Sequence, residues 1–428
     1  MFPFLLYPFL LNFVVNGFDR NDVVTIFISS FILISYFYFL YQKLETFRNQ
    51  FWVFFFYAVL LRCFVLGSTP HLSDDIYRYL FDAKILFYGF SPYQMTPIEW
   101  ISTYSQFGEE LVGYIEKMNS AGYFSVYPVF LLLHFFIGSI LSFLLGTTFL
   151  GVQFLFMVFD ILNLYLIRKF YPNESLHFYW MYYANPLVII EGISQMHPEM
   201  LMLPWLLFLL HSKSIWTTGG LFFFGSQIKI NFLLYLLGIS RQKRSILAIS
   251  IFVFTSLAIW KWTVFANLKA QGTNGIGLFF HSFRFAGILE PLFYFPLSFL
   301  GFSYLSGSVS LFILGLIFLY LFFNKQFFGL LINERMFILY LLFLVLSPVI
   351  HPWYWIPLVM LGHLNRLSLE WHSFVVSLAF FSYFIYASDL FFYIYWAFAI
   401  LGFSFYGIQE INHLRKTTNS RTRQNETG

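Results

Sequence analysis

The chain has few charged residues and almost no cysteine. Only 10% of its 428 residues are Asp, Glu, Lys or Arg, and the single cysteine, Cys63, excludes an intramolecular disulfide. By contrast, 59% of the residues are hydrophobic and the mean hydropathy is +0.72. So few polar side chains cannot cover a water-soluble globule, and most of the surface must therefore face lipid. The composition predicts a polytopic membrane protein without a soluble domain.

Apolar segments that suit membrane helices recur along the chain. A helix needs about 20 apolar residues to cross a bilayer, and several of these segments are shorter and come in pairs. We expect an all-α bundle of about 11–14 transmembrane helices, including short or re-entrant pairs. The apolar N-terminus lacks a basic segment and a cleavage site, which predicts an uncleaved first span. The predicted spans are residues 2–16, 23–41, 51–66, 126–145, 149–167, 201–210, 219–224, 232–239, 245–265, 305–323, 337–346, 354–361, 367–386 and 390–405.

Polar breaks interrupt three of the short apolar pairs. Irregular backbone at membrane depth is tolerated only where it is buried in protein or lines a cavity. The breaks therefore predict a cavity, with polar side chains supplied by each break. Their sequences are "GISQMHPEM", "GSQIKINF" and "SPVIHPWYW".

The distribution of Lys and Arg in short loops predicts the orientation, because cytoplasmic loops carry an excess of both. This rule places the long loop of residues 67–125 and the three breaks on the external face. Arg168 and Lys169 conflict with it, so either they bind an anion at the mouth of the cavity or one helix is miscounted. A single domain, residues 1–412, then precedes a basic cytoplasmic tail, residues 413–428. The other residues placed on the cytoplasmic side are Lys43, Arg48, Lys213, Arg241 to Arg244, Lys325, Arg335 and Arg366.

The stretch "SDDIYRYLFDAK" concentrates charge at the start of the long loop. A helix over residues 72–88 would place Asp74, Arg78 and Asp82 on one face, with Asp75 about a quarter turn away. Ser73 is the predicted N-cap of this helix. Two interpretations remain open. In the first, the aspartates merely cap a surface helix and Arg78 pairs with Asp74 or Asp82; in the second, the acidic pair is part of a reaction centre.

Other polar residues predicted on the external face favour the second interpretation. A carboxylate pair near several cations suits transfer of a group from a lipid-linked phosphate to a hydroxyl. Phosphate leaves without a general acid, so one carboxylate suffices as the base, and cations stabilise the departing charge. A lipid or polysaccharide transporter is the alternative, but it should carry charge near the midplane in two related halves. The outward-facing residues are His197, Glu199, Lys229, Arg284, His351 and Tyr354.

The order of these motifs resembles the GT-C superfamily of polytopic glycosyltransferases, specifically bacterial mannosyltransferases that depend on polyprenyl-phosphate mannose. The resemblance runs from about residue 51 to residue 361. The chain departs from the family pattern at Val129, where a second proline is expected, and at Arg284 and Gly287. The matching stretches are "SDDIYRYLFDAKILFYGFSPY", "YFSVYPVF", "ANPLVIIEGISQMHPEMLM", "IKINFLL", "NGIGLFFHSFRFAG" and "LSPVIHPWYW".

The resemblance implies a GT-C helical bundle whose first large external loop carries helices parallel to the membrane. It implies inverting transfer of a hexose, with mannose as the family default, from a polyprenyl-phosphate sugar to a glycolipid or cell-surface glycan. By this resemblance Asp74 and Asp75 are the catalytic candidates. We expect Asp74 to be the base, because it shares a helix face with Arg78, and Asp75 to orient the acceptor. The donor phosphate is expected to bind Arg78, Lys229 and His351; sugar or acceptor hydroxyls to contact His197, Glu199, Tyr354 and Tyr127; and Glu191 to brace its break.

The resemblance also predicts the setting of the enzyme. It implies an integral protein of the bacterial inner membrane, with the site on the periplasmic face and the C-terminus in the cytoplasm. We expect a monomer that binds membrane lipid and no nucleic acid. A lipid monophosphate can be held by Lys and Arg alone, so no metal and no other cofactor is expected.

Overall fold

In a computed structural model the protein is α-helical. The structure describes residues 2–17, 20, 22–48, 50–104, 106, 109–239, 243–266, 275 and 283–410. Within these ranges the β-structure is limited to isolated bridges from Phe285 and Ala286 to Val349. The predicted all-α polytopic fold is therefore confirmed. The predicted tail, residues 413–428, and the basic residue Arg241 lie outside the described residues.

The N-terminal part of the chain forms nine α-helices among the described residues, before, within and after the long loop. Three of them, α4, α5 and α6, lie within the long loop of residues 67–125. The helices are α1 (Phe2–Gly17), α2 (Val23–Tyr41), α3 (Phe51–Cys63), α4 (Asp75–Phe87), α5 (Pro97–Thr103), α6 (Glu109–Lys117), α7 (Val129–Leu144), α8 (Leu150–Phe170) and α9 (Leu176–Tyr183).

The remaining helices include short, interrupted ones. The short helix α10 (Pro186–Ile189) continues into a π-helical segment (Ile190–Ser194), and 3₁₀ segments cover Ile230–Gly238, Pro352–Trp355 and Ser382–Tyr386. The other α-helices of this part are α11 (Glu199–His211), α12 (Ile215–Ile228), α13 (Lys243–Trp262), α14 (Pro291–Phe299), α15 (Ser306–Phe323), α16 (Lys325–Gly329), α17 (Ile332–Leu346), α18 (Ile356–Leu364), α19 (Leu369–Phe381) and α20 (Asp389–Gly402).

Four of the described helices are long and apolar enough to cross a membrane unaided. Several others are too short, as the hydropathy pattern predicted, and they end where the three polar breaks were expected. The chain is therefore a membrane protein whose bundle mixes complete and interrupted helices. The four long helices span Val23–Tyr41, Leu150–Phe170, Ser303–Phe323 and Asp389–Glu410.

Helices α3 and α8 run antiparallel, as contacts at both of their ends show. At one end, the Gly67 amide donates to the Gln153 side chain at 2.8 Å. At the other end, the Arg168 guanidinium lies 4.3 Å from the centre of the Phe51 ring. The chain therefore leaves α3 and enters α8 at the same end of the bundle. We call this end, marked by Gly67 and Gln153, the loop end.

The opposite end gathers basic residues, and we call it the basic end. Besides Arg168 and Phe51, it includes the ion pair of Arg366 with Glu174 and the contact of the Ser368 hydroxyl with Glu410. Arg168 and Lys169 thus lie at the same end of the bundle as Arg366, one of the predicted cytoplasmic cations. The predicted span 126–145 contains α7, which packs beside α8.

A buried ion pair joins α3 to α8 in the middle of the bundle. The Arg62 guanidinium donates to Asp160 at 2.8 Å and to the Ala58 carbonyl at 2.9 Å, and both charged side chains are fully buried. The Tyr182 hydroxyl donates to the second Asp160 oxygen at 2.6 Å. A buried charge is tolerated where a partner and further hydrogen bonds compensate it, so this cluster fixes the pairing of α3, α8 and α9.

Replacing Arg62 with Met is expected to lower the free energy of unfolding by about 3–5 kcal/mol, because Asp160 would keep an uncompensated charge in the interior. Denaturant unfolding of the purified protein in detergent measures the change. The double variant Arg62→Met/Asp160→Leu is the control, since it removes both charges and should recover most of the loss. A single variant as stable as the wild type would contradict this account of the pair.

Candidate active site

The first aspartate of the loop does not pair with Arg78. Asp74 occupies the position before α4, and its carboxylate accepts from the Arg20 guanidinium at 2.6 Å. Ser73 is not the N-cap that the sequence predicted; its hydroxyl accepts from the Asp75 amide at 3.2 Å. The acidic pair therefore begins the helix itself, and a cation from the α1–α2 connection compensates its first member.

Arg78 points away from the acidic pair. It is buried, donates to Asp82 at 2.9 Å and donates to the carbonyls of Ser120 and Tyr123 at 2.7 Å each. Of the pairings left open by the helical spacing, Arg78 with Asp82 is the one that forms. The structure does not bring Arg78 together with Lys229 and His351, because its guanidinium instead anchors α4 to the segment that follows α6.

Glutamine side chains attach the start of the long loop to the first break. The Gln153 amide donates to the carbonyls of Ser68 and Ser194, at 2.8 and 3.1 Å. The Leu72 amide donates to the Gln195 side chain at 3.0 Å. All of these side chains are buried, and each bond satisfies a polar group that irregular backbone would otherwise leave unpaired. The acidic pair is thereby held at a fixed distance from the break.

The first two breaks meet at an ion pair. Glu199 belongs to the first break, begins α11 and is fully buried. Lys229 belongs to the second break and follows α12 with extended backbone. The Lys229 ammonium contacts the Glu199 carboxylate and lies 4.1 Å from the centre of the Tyr354 ring, which belongs to the third break. One lysine therefore joins residues from all three breaks.

Stacked rings connect the first break to the third. The centres of the His197 and His351 rings lie 3.6 and 4.5 Å from the centre of the Trp353 ring, and both rings are nearly parallel to it. Behind His197, Glu191 lies 3.4 Å from its Nε2 atom and accepts from the Tyr383 hydroxyl at 2.8 Å. His197 and Glu191 are fully buried, whereas His351 remains half-buried. The buried pair thus lies behind the ring stack.

Asp75 faces the ion pair from the loop. Burial raises the pKa of Asp75 to about 6; Lys229 opposes this shift, and the charges of Asp74 and Glu199 add to it. The Tyr79 hydroxyl lies 3.5 Å from its carboxylate. In the described part of the chain Asp74 and Glu199 each pair with a cation, whereas Asp75 has no salt bridge. A half-buried carboxylate with a raised pKa beside a lysine has the properties of a general base.

Two further predicted residues lie near this cluster without sharing its ion pairs. The Tyr127 ring packs edge-on against Tyr79 at 4.6 Å, next to Asp75. Arg284 pairs with both oxygens of Glu290, at 2.7 and 2.8 Å, so its charge is already compensated. Within the described residues, no three His, Cys, Asp or Glu side chains form a group that could hold a metal ion.

Sequence reasoning missed Arg20, Trp353 and Gln153. Arg20 was open to detection, because it is a basic residue between the first two spans, on the face where the orientation rule places few cations. Trp353 is part of "HPWYW", but only the fold reveals that both His197 and His351 stack on its ring. A buried glutamine inside an apolar span, such as Gln153, signals a polar contact without identifying its partner.

The comparisons with known proteins agree with this architecture. A family model described as the alpha-(1->6)-mannopyranosyltransferase N-terminal domain of the MptA_B family matches residues 16–239. That range is more than half of the chain and includes Arg20, Asp74, Asp75, Glu199 and Lys229. No curated protein and no solved structure matches the chain. The match agrees with the resemblance to GT-C mannosyltransferases, and the chain belongs to the MptA_B family of mannosyltransferases.

Proposed function

We propose that this glycosyltransferase moves mannose, with inversion, from polyprenyl-phosphate mannose to a hydroxyl of a glycolipid or cell-surface glycan. The supporting observation is the convergence of Asp75, Lys229 and Tyr354, which brings a free carboxylate and a cation to the meeting point of three helix breaks. The basic end of the bundle is then cytoplasmic and the loop end is external, as basic residues favour the inner side. In a bacterium the site would face the periplasm.

Asp75 is the base in this proposal, in place of Asp74, which the sequence favoured. The Asp74 carboxylate is already engaged by the Arg20 guanidinium at 2.6 Å, whereas Asp75 has no salt bridge within the described residues. Asp75 takes the proton of the acceptor hydroxyl as that oxygen bonds to the anomeric carbon. The bond between this carbon and the phosphate oxygen breaks, and the phosphate leaves with the electron pair. Asp74 is left to orient the acceptor side of the loop.

Lys229 and His351 are the proposed ligands of the donor phosphate. Lys229 is about one fifth exposed, and its contact with Glu199 keeps it in place before the donor arrives. Since the leaving phosphate gains negative charge in the transition state, a fixed cation stabilises that state. Glu199, Tyr354 and Tyr127 are proposed for sugar or acceptor hydroxyls. His197 and Glu191 lie behind the ring stack, where they support it.

The pH dependence follows from the raised pKa of Asp75. Because the base must be ionised, kcat/KM is expected to fall as the pH drops through about 6, by roughly tenfold for each further unit. Above this pH the carboxylate is ionised and the rate should level off. Initial rates between about pH 5 and pH 8, corrected for the protein that remains folded, test this expectation. A rate that stays constant down to pH 5 would exclude Asp75 as a base with this pKa.

The donor is tested with purified protein in liposomes. Radiolabelled mannose is supplied either on polyprenyl phosphate or on a nucleotide, with and without EDTA, and transfer into lipid and glycan acceptors is counted. The proposal predicts transfer from the lipid donor alone, no effect of EDTA, and a product with the anomeric configuration opposite to that of the donor. Transfer from the nucleotide alone would contradict it. Movement of the intact lipid across the bilayer without transfer would support the transporter instead.

A further inference from the structure

Arg20 connects three segments that are distant in the chain. It lies between α1 and α2, and its guanidinium donates to Asp74 at 2.6 Å. The same guanidinium lies 5.2 Å from the centre of the Tyr386 ring, which belongs to the 3₁₀ segment before α20. Arg20 and Asp74 are each about one quarter exposed, with side-chain exposures of 24% and 22%. The pair is thus at the rim of the candidate site and accessible from outside it.

Tyr386 extends this connection to the third break. Its ring lies 4.7 Å from Phe285, and Phe285 lies 4.8 Å from the His351 ring. A continuous row of contacts therefore runs from Asp74 through Arg20 to His351, a proposed phosphate ligand. An arginine suits this position because its planar guanidinium can stack on a ring while its N–H groups bind a carboxylate.

We infer that Arg20 is a positioning residue for the transfer reaction and acts through Asp74: it holds and compensates this carboxylate, so that its neighbour Asp75 is the one free to accept a proton. The inference rests on the proposed function. The negative charge of Asp74 raises the pKa of Asp75, and the Arg20 guanidinium lies 2.6 Å from Asp74, where it compensates that charge. With Arg20 in place, the two members of the pair have different environments and therefore different tasks.

The charges around Asp75 determine how the removal of Arg20 should change the pH dependence of the rate. Without Arg20 the charge of Asp74 is uncompensated, which favours the protonated form of Asp75. The fall of kcat/KM at low pH, which we call the acid limb, should therefore move to higher pH in Arg20→Gln. In Asp74→Asn it should move to lower pH. The groups that face Asp75 from all packed elements are Lys229, Asp74, Glu199, Tyr79, Tyr127, Tyr354 and Tyr386.

The test is a double-variant cycle on the full-length protein in liposomes. Arg20→Gln alone should lower kcat by about 10- to 100-fold, since a misplaced carboxylate costs an effect of this size. In the Asp74→Asn background the same change should cost nothing further, because the partner is already gone. Arg20→Lys, which keeps the charge, should restore the acid limb to its wild-type pH. Arg366→Gln, at an ion pair of the basic end, is the matched control and should behave as wild type.

Other outcomes overturn the inference. A higher donor KM for Arg20→Gln in both backgrounds would mean that Arg20 binds the donor directly, and an unchanged rate with an unchanged acid limb would remove it from the reaction. A lower melting temperature with an unchanged acid limb would make it a purely structural residue. If the wild type uses a nucleotide-linked donor instead, the proposed donor fails, and the same cycle run with that donor still decides the role of Arg20.

Discussion

Asp75→Asn is expected to slow mannosyl transfer by about 10²- to 10⁴-fold in kcat, the usual contribution of a general base. An amide has nearly the shape of a carboxylate but takes no proton from the acceptor. The Asp75 carboxylate accepts a long hydrogen bond from the Tyr79 hydroxyl, at 3.5 Å, so the folded protein should tolerate the change. Initial rates at saturating donor and acceptor, for equal amounts of folded protein in liposomes, measure the effect.

Two other substitutions in the same loop test whether the loss of rate is specific to Asp75. Glu116→Gln removes an exposed carboxylate from α6 and should leave the rate unchanged. Asp74→Asn should reduce kcat less than Asp75→Asn does, because Asp74 is proposed to orient groups rather than to accept the proton. If Asp74→Asn abolishes transfer while Asp75→Asn keeps most of it, the base is Asp74, and the assignment made from the ion pairs is wrong.

Lys229→Gln is expected to lower kcat by about 10²- to 10³-fold, the size of effect seen when one transition-state donor is removed. The leaving phosphate would then develop its charge without the fixed cation. This substitution also leaves the buried Glu199 carboxylate without its cation, and that loss destabilises the folded protein independently of any effect on the reaction. Rate and stability must therefore be measured together, by single-turnover transfer and by thermal unfolding of the same preparation.

The double variant Lys229→Gln/Glu199→Gln separates the two effects. It removes the unpaired buried charge, so the melting temperature should return toward that of the wild type while transfer stays slow. Lys213→Gln, which changes an exposed lysine at the connection between α11 and α12, is the matched control for loss of positive charge. Wild-type transfer by the double variant would show that Lys229 serves the fold and not the donor.

Much of the fold was predictable, because each span carries its own apolar pattern. The second predicted span, residues 23–41, coincides with α2 (Val23–Tyr41), and the three breaks end helices where polar residues interrupt the sequence. The course of the chain through α7 was not predictable. Hydropathy identifies an apolar helix of 16 residues but does not reveal that it packs beside α8.

The candidate site was predictable as a set of residues but not as a set of contacts. Helical spacing allowed Arg78 to reach either aspartate four residues away, and the choice of Asp82 depends on carbonyls supplied by Ser120 and Tyr123. The pairing of Lys229 with Glu199 crosses two breaks that are far apart in sequence. Such contacts are set by tertiary packing, which no local pattern encodes.

The location of the donor site is tested most directly by photo-cross-linking. A polyprenyl phosphate that carries a diazirine beside its phosphate is irradiated with the protein in liposomes, and labelled residues are identified by mass spectrometry. The proposed site predicts label on peptides that contain Asp75, Lys229 or His351, and competition by unlabelled polyprenyl-phosphate mannose. Label confined to the basic end, on peptides around Arg168 or Arg366, would contradict it.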